Sequence, residues 1–193
     1  PDLVYDNHPL EPPARPEDGY HLADDMADKA VEFIRDAKAL APDKPFFMYF
    51  APGATHAPHH VPRQWSDKYR GQFDAGWDAL RESIIEQQKE LGVIPADAEL
   101  TKRHDEIPAW DDMPDDLKPV LARQMEIYAG FLEQTDHEVG RVIDAIADLG
   151  VLENTIVYYI LGDNGASAEG TPNGCFNEMC TLNGMGGIET PEF

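Results

Sequence analysis

Basic residues are scarce in this chain of 193: fifteen Lys and Arg stand against thirty-seven Asp and Glu, a formal charge of -22. That surplus repels nucleic-acid phosphates and anionic membrane surfaces, so neither is expected as a partner. Cysteine is scarcer still, with Cys175 and Cys180 alone in a Gly/Asn-rich stretch. Two thiols without neighbouring histidines build neither a disulfide framework nor a zinc site. Long apolar runs are missing, none approaching the roughly 18 residues of a spanning helix. The first residues, PDLVYDNHPLEPPARPEDG, contain no basic segment followed by an apolar one, so no signal peptide is expected in them. Nucleophile-elbow, P-loop and dinucleotide-binding motifs are absent as well.

What is present is a globular composition, 42% hydrophobic and 27% charged, in a chain long enough for one domain with a sizeable core. Residues 1–18 carry Pro9, Pro12, Pro13 and Pro16 and are expected as an extended surface arm. From Gly19 onward Leu22, Met26, Ala30, Phe33 and Ala37 recur at helical spacing. After the break at APDK, PFFMYF (45–50) is a short apolar strand that feeds the loop APGATHAPHHVP. Residues 63–118 are expected as a surface excursion holding one helix through Leu80, Ile84, Ile85 and Leu91. Trp65, Trp77 and Trp110 are most economically its packing residues.

The strongest periodicity runs from about Pro119 to Leu149 through Met125, Tyr128, Leu132, Val139, Val142 and Ile146, with Gly150 as a stop. An apolar strand, 155–161, follows, and 162–193 is a Gly-rich loop region. Helix, strand, excursion, helix, strand is an α/β order, and strands apolar throughout belong in a mostly parallel sheet flanked by helices. Parallel strands would bring the THAPHH loop and the tip of strand 155–161 to the same sheet edge, where open α/β folds bind ligands.

At that tip Asp163 and Asn164 stand side by side before Gly165. A carboxylate beside an amide carbonyl suits a hard cation, Ca²⁺ or Mg²⁺; the competing reading is an ordinary tight turn. After Arg141 no Lys or Arg occurs in 52 residues while eight acids do, so this region cannot hold an anion unaided. His56, His59 and His60 lie within five residues of each other in a Pro-rich loop that lacks the fixed spacing of a helical zinc motif. They are packing or exposed residues, or one of them binds an anionic substrate or protonates a leaving group. Asp136, near the apolar face of the long helix, is expected as a hydrogen-bonded structural carboxylate.

Three segments in order, KPFFMYFAPGATHAPHHVP, EIYAGFLEQTDHEVGRVIDAIADLG and NTIVYYILGDNGASAEG, resemble the middle portion of the type I sulfatases, in particular large bacterial arylsulfatases. The resemblance implies an alkaline-phosphatase-like α/β fold, of which 1–193 is one incomplete catalytic domain, and hydrolysis of small-molecule sulfate monoesters. It implies a calcium ion held in part by Asp163 and Asn164, and His56 against the sulfate group; no role transfers to His59 or His60. The family's formylglycine nucleophile arises from a Cys-x-Pro-Ser-Arg motif, which neither Cys175 nor Cys180 begins. The chain is therefore expected to be an internal segment, inactive alone, with apolar sheet surface that favours self-association. Two other readings stay open: a phosphoryl or phosphonate ester hydrolase of the same superfamily, and a non-catalytic binding module on the same scaffold. The compartment, bacterial cytoplasm or periplasm, is not fixed by these residues.

Overall fold

The computed structural model describes residues 3–162, 175, 177–186 and 190. They fall into two compact units, Pro1–Gly53 with Gln134–Leu161 and Ala54–Glu133 with Gly162–Phe193.

The first unit begins with a hairpin. Leu3–Tyr5 (β1) and His8–Leu10 (β2) pair antiparallel, Leu3 opposite Leu10 and Tyr5 opposite His8. Asp6 and Asn7 turn the chain at φ values of 46° and 69°, a left-handed conformation that Asp and Asn tolerate better than other side chains. The proline-rich arm thus contains a hairpin, followed by a 3-10 turn at Pro16–Asp18.

Helix α1, Leu22–Leu40, starts where His21 caps it: the imidazole Nδ1 accepts the Ala23 N–H at 3.3 Å, and Asp24 and Asp25 fill the first turn. Gln134 Nε2 also donates to His21 Nδ1, at 3.0 Å, and to Asp24 Oδ1 at 2.7 Å. Both partners of Nδ1 are donors, so the neutral ring carries its proton on Nε2. The buried stripe is Ala23, Ala27, Ala30 and Ile34; it keeps Ala30 of the expected Leu22–Met26–Ala30–Phe33–Ala37 stripe and otherwise lies about one residue round the helix. The alanines let the helix lie close to its partner, and the larger Leu22 and Phe33 stay partly in water. Ala27, Ala30 and Ile34 join Val142 and Ile146 of helix α4, Lys118–Asp148, in one apolar cluster. Arg141 bridges Glu138 and Asp28 beside it, and Asp28 first, then Glu138, holds the guanidinium above its ordinary range.

Residues 45–50 and 155–161 have no strand partner among the described residues, whose sheet consists of β1 and β2 alone. The expected mostly parallel sheet is therefore not formed within them. The reason is local: a strand is defined by neighbours that take its backbone hydrogen bonds, and neither run has one. Their side chains nonetheless alternate as in an extended chain. Phe46, Met48 and Phe50 pack on the α1–α4 cluster, while Phe47 and Tyr49 are 93% and 83% exposed. In the second run Ile156, Tyr158 and Ile160 are each about 80% exposed, and Tyr159 donates its hydroxyl to Asp136 Oδ1 at 3.2 Å. Asp136 is the hydrogen-bonded carboxylate its position suggests.

The second unit contains α2 (Arg63–Ser66), α3 (Gly76–Glu90), the first half of α4 and α5 (Glu178–Leu182). Its core is Trp110, Met113 and Leu121, with Trp77 and Leu117 against them. Trp77 and Trp110 meet edge to face, centroids 4.8 Å apart. Gly76 opens α3 at φ 77°, and its missing Cβ leaves room for the Trp110 ring. Asp78 then fixes the Trp110 segment by accepting its backbone N–H at 2.9 Å and Arg103 Nη1 at 2.7 Å. Glu126 on α4 is buried and doubly bonded, to Gly71 N–H at 2.7 Å and Arg123 Nη1 at 2.6 Å. Arg123 reaches on through Nη2 to Ser66 Oγ and Asp67 Oδ1, both at 2.9 Å, tying α2 to α4.

Candidate functional site

The loop after residue 50 carries the three histidines, and it gives them different surroundings. His59 turns inward: its Nε2 lies 3.1 Å from Thr55 O, and its ring meets Tyr128 edge to face at 5.4 Å and Phe131 at 6.5 Å. Aromatic contacts on this scale are packing interactions, so His59 anchors the loop on α4. The His60 backbone N–H closes the turn onto Pro58 O at 2.9 Å.

His56 is more open, its side chain 55% exposed. Its Nδ1 is 2.7 Å from Ala57 O; a carbonyl only accepts, so Nδ1 carries a proton and points it into the loop's own backbone. Glu178, the first residue of α5, brings Oε1 to 4.0 Å from Nδ1. When the ring is protonated this is an ion pair, and it sets a carboxylate behind the face of His56 that already bonds Ala57.

Glu178 is the residue that sequence reasoning missed. It lies about 120 positions from His56 in a Gly-rich stretch without periodicity, and nothing local announces the pairing. The only local signal is Asn177, whose side chain accepts the Met179 N–H at 3.1 Å as a helix N-cap. Asp163 and Asn164, the expected metal ligands, lie outside the described residues. Among the described residues no three His, Cys, Asp or Glu side chains gather to hold a metal ion, and no helix is long and apolar enough to cross a membrane. Cys175 is buried and Cys180 half-buried, without a disulfide between them.

Comparison with known proteins adds an independent line. The family model described as Sulfatase matches residues 2–191. An uncharacterized sulfatase of Schizosaccharomyces pombe is 33% identical over 156 residues, 76% of this chain and 26% of that protein. An arylsulfatase of Klebsiella aerogenes is 28% identical over 131 residues, 67% of this chain and 28% of its own length. An arylsulfatase of Clostridium perfringens is 22% identical over 167 residues, 81% of this chain and 30% of that protein. The chain thus spans less than a third of each of these relatives.

Proposed function

The chain belongs to the sulfatase family, and from that membership we propose that the protein it forms part of hydrolyses sulfate monoesters of aryl alcohols, with His56 at the sulfate and Asp163 and Asn164 on a calcium ion. The family match over 2–191 carries the reading, and the two arylsulfatases among its relatives favour the aryl class.

His56 suits a role at an anion because its Nδ1 is committed to Ala57 O. That hydrogen bond fixes the ring plane, and an imidazole so held can donate to a sulfate oxygen or protonate a departing alcohol. Glu178 Oε1 stands 4.0 Å from Nδ1, where it pairs with the ring when the imidazole is protonated.

Asp163 and Asn164 fit a hard divalent cation by donor chemistry: one carboxylate, one amide carbonyl, and no Lys or Arg after Arg141 to compete for them. Ca²⁺ takes about 6–8 oxygens, so these two are part of a shell that other segments complete. When bound, the ion supplies Lewis acidity toward the sulfate oxygens. Mg²⁺, smaller and stricter in geometry, fits such a mixed shell less well. The nucleophile is expected from a Cys-x-Pro-Ser-Arg segment outside this chain.

The test is turnover of aryl sulfates and aryl phosphates by the full-length protein, before and after calcium removal. Sulfate-selective, calcium-dependent hydrolysis is expected, falling by about 10²–10⁴ in kcat for His56→Ala and lost in Asp163→Ala. Preference for phosphate esters would replace this reading with the phosphoryl-hydrolase one. No turnover of either ester by the intact protein would favour a binding module.

A further inference from the structure

The second unit carries a partly open cavity of about 260 Å³ that neither the His56 loop chemistry nor the expected metal site uses. Its walls come from α3, the Trp110 segment and α4, with His59 and Cys175 also in the lining. Trp77, Trp110, Phe73 and Tyr128 give it an aromatic lining, and Leu121 and Ala122 an aliphatic side. An apolar cavity of about 150 Å³ already admits benzene, so this one has room for a substituted ring. The edge-to-face Trp77–Trp110 pair presents flat surface of the kind that planar rings pack against.

Among the described residues the lining includes no Lys, Arg, Asp or Glu. A charged ligand entering it would lose hydration with no counter-charge to replace it. One polar group is left unspent: Gln124 lines the cavity, and its Nε2 is buried without an acceptor among the described residues. A buried donor without a partner is costly, and a ligand that carries an acceptor into the cavity relieves that cost.

We propose that this cavity is a binding site for a small uncharged aromatic molecule carrying one hydrogen-bond acceptor, its ring against Trp77 and Trp110 and its acceptor on Gln124. The proposal stands whether or not the sulfatase reading of His56 holds, because it uses none of those residues.

The three tryptophans of the chain supply three indole N–H resonances, assigned through Trp65→Phe, that can be followed while acetophenone, ethylbenzene or benzoate is added. These probes share a ring and differ in acceptor and charge. Acetophenone is expected to shift the Trp77 and Trp110 signals saturably and leave Trp65 unmoved, with ethylbenzene weaker and benzoate silent. Gln124→Leu, close in size, is expected to weaken acetophenone about fivefold and leave ethylbenzene unchanged. Ala122→Phe fills the cavity and is expected to abolish both, with far-ultraviolet circular dichroism reporting that it folds. Shifts that grow linearly and equally at all three tryptophans overturn the proposal. So does benzoate binding as well as acetophenone, or a Gln124→Leu protein that treats acetophenone as before.

Discussion

Gly130 on α4 lies directly against the backbone of Ser66 at the end of α2: a Cβ on Gly130 would sit 2.6 Å from the Ser66 nitrogen and 2.7 Å from its Cα. The contact is with main chain, which cannot rotate aside. An interior helical Gly→Ala change ordinarily stabilises by about 1 kcal/mol, but overpacking a close contact costs about 1–3 kcal/mol. Gly130→Ala is therefore expected to destabilise, whereas Gly140→Ala in the same helix, with nothing within 4 Å of its Cβ, is expected to stabilise by about 0.5–1 kcal/mol. Urea unfolding of the two variants checks the opposite signs; a stabilised Gly130→Ala protein would contradict the packing described.

Acid should loosen the Trp110 segment. The Trp110 backbone N–H first, then Arg103, holds the Asp78 carboxyl below its ordinary value of 3.8, against a smaller opposing effect of burial. A depressed folded value means stability present above the unfolded value and lost as pH falls through the folded one. The thermal midpoint followed by tryptophan fluorescence should drop between about pH 5 and 3. Asp78→Asn keeps an acceptor for the Trp110 N–H and removes the charge, so its curve should fall less steeply; parallel curves would show that Asp78 contributes nothing to the slope.

Removing Arg123 strands a buried acid. Glu126 keeps 7% of its side chain in water and Arg123 keeps 35%, so Arg123→Met should cost about 2 kcal/mol or more, below the roughly 3–5 kcal/mol of a fully buried pair. Adding Glu126→Gln, which still accepts the Gly71 N–H, should restore part of the loss. A double-mutant cycle measures the coupling, and simple additivity of the two changes would rule it out.

The unpaired runs should make the chain associate. Phe47, Tyr158 and Ile160 expose apolar surface on extended runs without a strand partner among the described residues, the combination that recruits further strands. Sedimentation velocity should show concentration-dependent species that Phe47→Lys with Tyr158→Lys reduces. These side chains are exposed, so each change should alter folding stability by only about 0.5 kcal/mol. A monomer at all concentrations for the unsubstituted chain would argue against association through these runs.

How far the sequence was readable depends on how local each signal was. The helices α1, α3 and α4 follow from apolar spacing, because 3.6-residue periodicity is written within a dozen residues. The buried face of α1 was legible at Ala30 but not at Ala23 and Ala27, which rank below Leu22 and Phe33 in hydrophobicity yet pack closer. The β1–β2 hairpin was within reach through Asp6-Asn7 but sat among prolines that suggested an arm. His56 stood out by residue type and loop position, whereas its neighbour Glu178 is set by tertiary folding alone. The apolar pattern of 45–50 and 155–161 was visible as well; the pairing it implies is not formed among the described residues.

The alternation along 45–50 fixes inside and outside in advance. With Phe46, Met48 and Phe50 already seated in the α1–α4 cluster, any strand arriving alongside finds its neighbour's two sides assigned and only main-chain valences vacant. A slip by one position would drive Phe47 and Tyr49 inward and pull three seated side chains out. The helical framework therefore settles which side of 45–50 faces the helices, and any strand paired with it must match that parity.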